Sequence, residues 1–232
     1  MMIKSKKQIL LEGRYDSLVR TITKDVMNSI IDSEGEFSLD YSLPYDYSGQ
    51  DKYIHESGLS VEVELLIKRT TDTLSIGNNE VPYFVYSYVS IDGPIVIELT
   101  IDDTYGRDFY EEIFYKINED IRHEIEHELQ IIFNDREQSL IPNSSDYETT
   151  FKHHMDPSEV AALVHGFYRR AKLEKKTLDS IMLDDIKKEI SNGEITPSEG
   201  DKLLQTWISY SVKHLPYAQF TNSTKRRFSF KK

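Results

Sequence analysis

The chain has 232 residues and a mass of 27.1 kDa, which suits one domain of ordinary to large size, or one domain with an appendage. It contains no cysteine, so disulfides, thiolate metal sites and cysteine nucleophiles are excluded, and a metal would need His, Asp or Glu ligands. The net charge is −12 while both ends are basic, so the body of the chain is acidic and repels nucleic-acid phosphates.

The hydropathy of the chain also limits where the protein is expected to act. No stretch approaches the roughly 18 apolar residues that a membrane span needs. The first residues lack the apolar segment of a secretion signal. We therefore expect a cytoplasmic protein, with neither a membrane nor a nucleic acid as partner.

The first half of the chain predicts a helix and then strands. Residues 4–33 show helical spacing, which favours one or two helices. Residues 33–58 are rich in Ser, Asp, Gly, Pro and Tyr, so we expect an irregular connection or short extended pieces. Residues 59–68 alternate as a strand does, and residues 81–91 and 95–101 flank a turn, which predicts a hairpin. The candidates for the buried face of the first helix are Ile9, Leu10, Leu18, Ile22, Val26 and Ile30.

After Gly106 nearly everything has helical character. The predicted helices cover about 108–134, 157–176, 179–191 and 197–214, and prolines punctuate them. Strands that precede helices indicate an α+β fold with a small antiparallel or mixed sheet followed by a mostly helical half.

Chemistry concentrates in the sequence His123-Glu124-Ile125-Glu126-His127, an HExxH motif. On a helix, His127 lies about 40° around the axis from His123 and one turn along, so both imidazoles can bind one ion. Glu124 is close enough to act on a water at that ion. The alternative is an acidic helix with two solvated histidines. Because Ile121, Ile125 and Ile132 fall on the opposite side, we expect that side to face the core and the histidine side to be open to a cleft.

A catalytic zinc site needs a third protein ligand. The downstream candidates are His153, His154, Asp156 and Glu159, of which we favour Glu159. Glu159 begins a helix whose small residues, Ala162 and Gly166, would allow close approach to the motif helix. The competing interpretation is a capping box, in which Asp156 caps the helix, Pro157 follows, and Glu159 only reaches back to a backbone amide.

Several other side chains are candidates for supporting roles. His153 and His154 are expected in the loop before this helix, where one could bind the metal or polarise a substrate carbonyl; two exposed loop histidines are the alternative. Tyr147 and Tyr168 are candidate oxyanion donors. Asp120 could orient a ligand histidine or could simply be an exposed helix acid.

Through these residues the sequence resembles the zincin metallopeptidases, nearest to the gluzincin branch, over about residues 80–176. The resemblance implies a zinc ion bound by His123, His127 and Glu159, with Glu124 as general base. It also implies a peptide or protein substrate lying along the edge of the hairpin. The histidine that extends the motif in metzincins is missing here, and Ser158-Glu159 replaces the usual Asn-Glu of gluzincins.

Two features bear on alternatives to catalysis. The segment from Leu10 to Asp16 resembles the opening of uncharacterised proteins of large tailed phages. If the protein is viral, we expect it in the host cytoplasm or the virion. An inactive zincin-like module, serving as a virion part or a host-interaction protein, is therefore the second hypothesis. The acidic charge alone would also suit a mimic of nucleic acid that binds a DNA-binding protein.

The same reasoning divides the chain into four segments. Residues 1–35 form an N-terminal helical segment, and 36–176 form the zincin-like catalytic domain. Residues 177–220 form a C-terminal helical cap in which Trp207 is a core anchor, and 221–232 form a basic tail. We expect residues 225–232 to be a solvated, disordered end, and contact with an acidic partner is the alternative.

Overall fold

The computed structural model describes residues 6–35, 46–54, 60–76, 79–89, 93–105, 108–133 and 149–228. The chain divides into two units, Met1–Leu74 with Glu80–Glu124 and Ser75–Asn79 with Ile125–Lys232. The N-terminal helix belongs to the same unit as the four strands of the mixed sheet. The boundary between Glu124 and Ile125 falls inside one continuous helix.

The first unit begins with one long helix, α1 (Lys6–Gly35). Its predicted apolar face is confirmed where side chains are described, since Leu18, Ile22, Val26 and Ile30 are all buried. The side chains of Ile9 and Leu10 lie outside the described residues. A buried polar contact joins α1 to the motif helix: Asn118 Nδ2 donates to Thr23 Oγ1 over 2.8 Å.

Among the described residues, six strands follow α1. They are β1 (Asp46–Ile54), β2 (Ser60–Thr70), β3 (Leu74–Ile76), β4 (Asn79–Val81), β5 (Tyr83–Val89) and β6 (Ile95–Asp102). Four of them form a mixed sheet in the order β1-β2-β6-β5, while β3 and β4 pair with each other. The β5–β6 hairpin confirms the prediction for residues 81–101. The fold is therefore α+β with a small mixed sheet.

Strand β1 decides between the two alternatives expected for residues 33–58, as far as those residues are described. Residues 46–54 are extended and not irregular, since they form a continuous strand antiparallel to β2, from Asp46 opposite Lys68 to Ile54 opposite Ser60. The polar composition of these residues could not decide between the alternatives, because composition does not reveal the backbone hydrogen bonds that pairing with β2 supplies.

One face of the sheet is buried, and alternating residues of β2 and β6 form it. Helix α2 (Tyr110–Phe133) carries a stripe of buried apolar residues. The buried stripe of α2 includes the predicted Ile121 and Ile125, whereas the side chain of Ile132 is outside the described part. The buried sheet residues are Val61, Val63, Leu65, Ile67, Ile95, Ile97, Leu99 and Ile101.

The second unit continues with five helices among the described residues. They are α3 (Thr150–Met155), α4 (Pro157–Glu174), α5 (Leu178–Asn192), α6 (Pro197–His214) and α7 (Asn222–Arg227). The predictions of α4, α5 and α6 are confirmed within a few residues. Proline occupies the first turn of α4 and of α6, and Thr196 and Glu199 form a capping box at the start of α6.

The core of the second unit surrounds Trp207, which is fully buried as predicted. Its ring centroid lies 5.1 Å from that of Phe167. Helices α5 and α6 approach closely at Gly200, where an added Cβ would lie 2.7 Å from Cγ2 of Ile186. Glycine is therefore required there for packing and not for an unusual backbone angle.

Helix α7 corrects the expectation of a disordered end as far as Arg227, while the side chains of Lys225, Arg226 and Arg227 are exposed to solvent as expected. The carboxylate of Asp179 accepts hydrogen bonds from the backbone N–H of Thr221 (3.0 Å), from Thr221 Oγ1 (2.5 Å) and from Thr224 Oγ1 (2.5 Å). These contacts fix the first turn of α7 to the start of α5. Among the described residues, no helix is both long enough and apolar enough to cross a membrane.

Replacing Asp179 with asparagine should lower the free energy of unfolding by about 1.5–3 kcal/mol at pH 7, the usual worth of hydrogen bonds to a charged group. Burial raises the pKa of Asp179, but hydrogen bonds from Thr221, Thr224 and Thr177 outweigh burial and lower it. The stabilisation is therefore complete above the ordinary Asp pKa of about 3.9 and is lost as pH falls through the lower folded-state value.

Urea unfolding at pH 7 and in acid, followed by circular dichroism, measures this difference. Asp184→Asn, on the same helix, is the control, because Asp184 is exposed and its ion pair with Lys187 spans 3.7 Å. Equal unfolding free energies for the wild type and Asp179→Asn at pH 7 would contradict the assigned role.

Candidate metal centre

The HExxH motif lies within α2, as predicted. His123 and His127 are one helical turn apart, so their side chains emerge on the same side of the helix. The helix runs unbroken through Glu124 and Ile125, where the two units meet in the chain. The relation between the two histidines is therefore a property of α2 itself.

Glu159, the predicted third ligand, lies close to His123 and His127. His123, His127 and Glu159 each offer one donor atom, and these atoms all lie within 4.8 Å of one another. His127 Nε2 is 3.4 Å from Glu159 Oε1. Two ligands bonded to a tetrahedral zinc ion at about 2.0–2.2 Å are about 3.4 Å apart, so this pair already has the spacing of a metal edge. In the described part of the chain, no other group of three such residues meets this criterion.

The start of α4 explains why the Glu159 carboxylate is directed to the histidines. Asp156 is the N-cap, and its Oδ1 accepts from the backbone N–H of Ser158 over 2.9 Å. The backbone N–H of Asp156, which a capping box would pair with Glu159, donates instead to the carbonyl of His153 over 3.0 Å. Gln130 Nε2 donates to the Ser158 carbonyl over 3.1 Å and ties α2 to this turn. The local geometry therefore favours the ligand interpretation of Glu159 over the capping box.

The burial of these groups differs from the open face expected from sequence. His127 and Glu159 are 3% and 2% exposed, and Glu124 is 4% exposed, whereas His123 keeps partial exposure. The face is therefore largely closed. A buried carboxylate is costly unless an opposite charge compensates it, so the cluster suits a cation.

Glu124 has a partner that sequence reasoning missed. Ser87 Oγ, on β5, donates to Glu124 Oε1 over 2.8 Å, and both residues belong to the first unit. Ser87 shares a strand face with Val85 and Val89, so a polar residue in an otherwise apolar row was the available signal. β5 is the last strand of the described sheet, in which only β6 pairs with it.

The adjacent residues His153 and His154 have different partners. Both lie on helix α3 and not in the loop that was expected. His153 Nε2 is 3.4 Å from Glu159 Oε1, so His153 is brought to the cluster. His154 Nδ1 is 3.2 Å from Glu189 Oε1, and its ring centroid is 6.1 Å from that of Trp207. Burial lowers the pKa of His154, but hydrogen bonding and the charge of Glu189 outweigh burial and raise it. His154 therefore interacts with helix α5 through Glu189.

In the described part of the chain, neither Tyr168 nor Asp120 belongs to the three-donor group. Tyr147 lies outside the described residues. Lys172 Nζ lies 4.6 Å from the ring centroid of Tyr168. Asp120 is buried and contacts Lys116 Nζ at 2.6 Å; burial raises the pKa of Asp120 to about 6 although Lys116 opposes the shift.

No protein-family model, no curated protein and no solved structure matches this chain. A function must therefore be inferred from the motif and from the geometry around His123, His127, Glu124 and Glu159.

Proposed function

We propose that the protein is a zinc-dependent peptidase of the zincin type, in which His123, His127 and Glu159 bind the ion. The observation that carries the proposal is the approach of three suitable donor atoms within 4.8 Å on two helices. Two neutral imidazoles and one carboxylate match the ligand set of catalytic zinc sites, which keep one position open.

The chain supplies a proton acceptor beside this cluster. A zinc ion held by these residues would lower the pKa of a water molecule far below its value in bulk water, to about 7. Glu124 follows His123 directly and is not itself one of the three donors. Its carboxylate accepts the proton of the attacking water and later returns it to the leaving amine of the cleaved peptide bond. Ser87 holds Oε1 of that carboxylate, which leaves Oε2 as the oxygen that takes the proton.

The position of β5 supports a peptide or protein as substrate. β5 is an edge strand of the described sheet, so an extended peptide can add to it through main-chain hydrogen bonds. The hydrogen bond from Ser87 joins this strand directly to Glu124. A peptide paired with β5 would therefore have its backbone placed close to the general base.

Metal analysis together with a cleavage assay tests the proposal. We expect the purified protein to bind about one equivalent of zinc and to cleave casein or members of a peptide library. A strong chelator should stop cleavage, and added zinc should restore it. Absence of zinc binding, or cleavage that chelation leaves unchanged, would refute the proposal.

Replacing Ser87 with alanine should lower kcat by about 10- to 100-fold, because a hydrogen bond to a charged group is worth about 1.5–3 kcal/mol. The substitution leaves the three metal donors in place, so zinc content should not change. Ser87→Thr keeps a hydroxyl and should recover most of the activity. Steady-state kinetics on a cleaved peptide measure the effect, and an Ala variant as active as the wild type would exclude this role for Ser87.

A second candidate function is a zinc-stabilised module without catalysis, as a virion part or a host-interaction protein. The deep burial of Glu124 and His127 favours it, since access of a substrate to these groups is restricted. Under this hypothesis zinc would raise the free energy of unfolding, and no peptide would be cleaved. The metal and cleavage assays described above separate the two functions.

A further inference from the structure

One oxygen of Glu159 lies near two imidazoles. His127 Nε2 and His153 Nε2 are each 3.4 Å from Glu159 Oε1. His127 belongs to the three-donor group, whereas His153 is not a member of that group within the described residues. The same carboxylate oxygen thus lies near one candidate metal ligand and near a second imidazole that is not one of the three donors.

A contact between a ligand carboxylate and a group that does not bind the metal can fix the orientation of the carboxylate. A carboxylate can rotate about its terminal bond, and a ligand carboxylate is held in its binding orientation by hydrogen bonds from groups that do not bind the metal. Glu159 is 2% exposed, so water is poorly placed to supply that hydrogen bond. An imidazole bearing its proton on Nε2 can donate to the carboxylate.

The backbone fixes His153 and Glu159 relative to each other. The N–H of Asp156 donates to the His153 carbonyl over 3.0 Å and closes the end of α3. The side chain of the same Asp156 caps α4 through Ser158. Both ends of the turn that separates His153 from Glu159 are therefore held by one residue.

We propose that His153 is a positioning residue that holds the Glu159 carboxylate in its metal-binding orientation. This inference rests on the proposed metal site. In this role His153 acts on the metal ligand Glu159 and does not polarise the substrate. Its neighbour His154 has a different role, since it contacts Glu189.

Zinc affinity of the full-length protein, measured by competition with a chromophoric chelator, tests the assignment. His153→Phe keeps a ring but removes the donor, and we expect it to weaken zinc binding by about 10- to 100-fold. His153→Gln places an amide N–H near the position of Nε2 and should recover most of the affinity. His154→Phe is the matched control and should bind zinc as the wild type does. Should His153→Phe fail to fold, His153→Leu replaces it with the same expected loss.

Ligand variants distinguish failure of this inference from failure of the metal site. If His127→Ala abolishes zinc binding while His153→Phe binds as tightly as the wild type, the role of His153 is refuted and the metal site stands. Equal losses in His153→Phe and His153→Gln would also refute a donor role. If the wild type binds no zinc, or if His127→Ala binds it unchanged, the metal site itself is refuted. Circular dichroism of the metal-free variants shows whether each is folded.

Discussion

Replacing Glu124 with glutamine is expected to reduce peptide hydrolysis by about 100- to 10,000-fold while zinc remains bound. Glutamine has nearly the same shape but cannot accept the proton of the attacking water. Its amide oxygen can still accept the hydrogen bond from Ser87, so the contact with β5 is retained. The loss should therefore fall on kcat, with little change in metal content.

Turnover of a cleaved peptide and zinc content, measured on the same preparations, check this expectation. Glu126→Gln is the control, because Glu126 lies on the same helix, is also buried, and has Oε2 3.8 Å from His165 Nε2. It should retain zinc and most of the hydrolysis. Undiminished turnover in Glu124→Gln would show that Glu124 is not the general base.

Replacing Trp207 with alanine is expected to lower the free energy of unfolding of the second unit by about 3–5 kcal/mol. Trp207 is fully buried and packs against Phe167 and His154, so truncation removes apolar contacts and leaves a cavity. The loss is a large part of the stability that a typical domain has, about 5–15 kcal/mol.

Urea unfolding followed by circular dichroism measures this loss, because Trp207 is the only tryptophan in the sequence and its fluorescence disappears with the substitution. Val212→Ala on the same helix is the control. Val212 is 46% exposed, and its truncation should cost no more than about 0.5 kcal/mol. Equal stabilities of the two variants would show that Trp207 does not anchor the core.

The sequence was informative where the deciding interactions are local. Pro157 and Pro197 mark the starts of α4 and α6, since cap preferences depend on neighbouring residues only. The pairing of β5 with β6 follows from two β-rich runs around a turn. The spacing of His123 and His127 is likewise local, because helix geometry alone puts them on one side of α2.

The parts that sequence did not predict depend on distant residues. Helix α7 depends on hydrogen bonds to the carboxylate of Asp179, which is far away in the sequence. No pattern within residues 221–228 could therefore predict this helix. The contact of Ser87 with Glu124 needs the sheet and α2 to be in place.

The separate roles of His153 and His154 also could not be read from the chain. Adjacent residues on a helix point about 100° apart, and the helix carrying them was expected to be a loop. Once α3 is formed, one imidazole reaches Glu159 and the other reaches Glu189.

The double role of Asp156, which closes α3 and caps α4, has a consequence for how this segment can vary. An insertion or deletion of one residue after Asp156 would rotate Glu159 by about 100° around α4 and direct its carboxylate away from His127. Substitutions on the exposed surface of α3 leave that rotation unchanged. The number of residues between Asp156 and Glu159 should therefore tolerate less change than the identity of the exposed residues of α3.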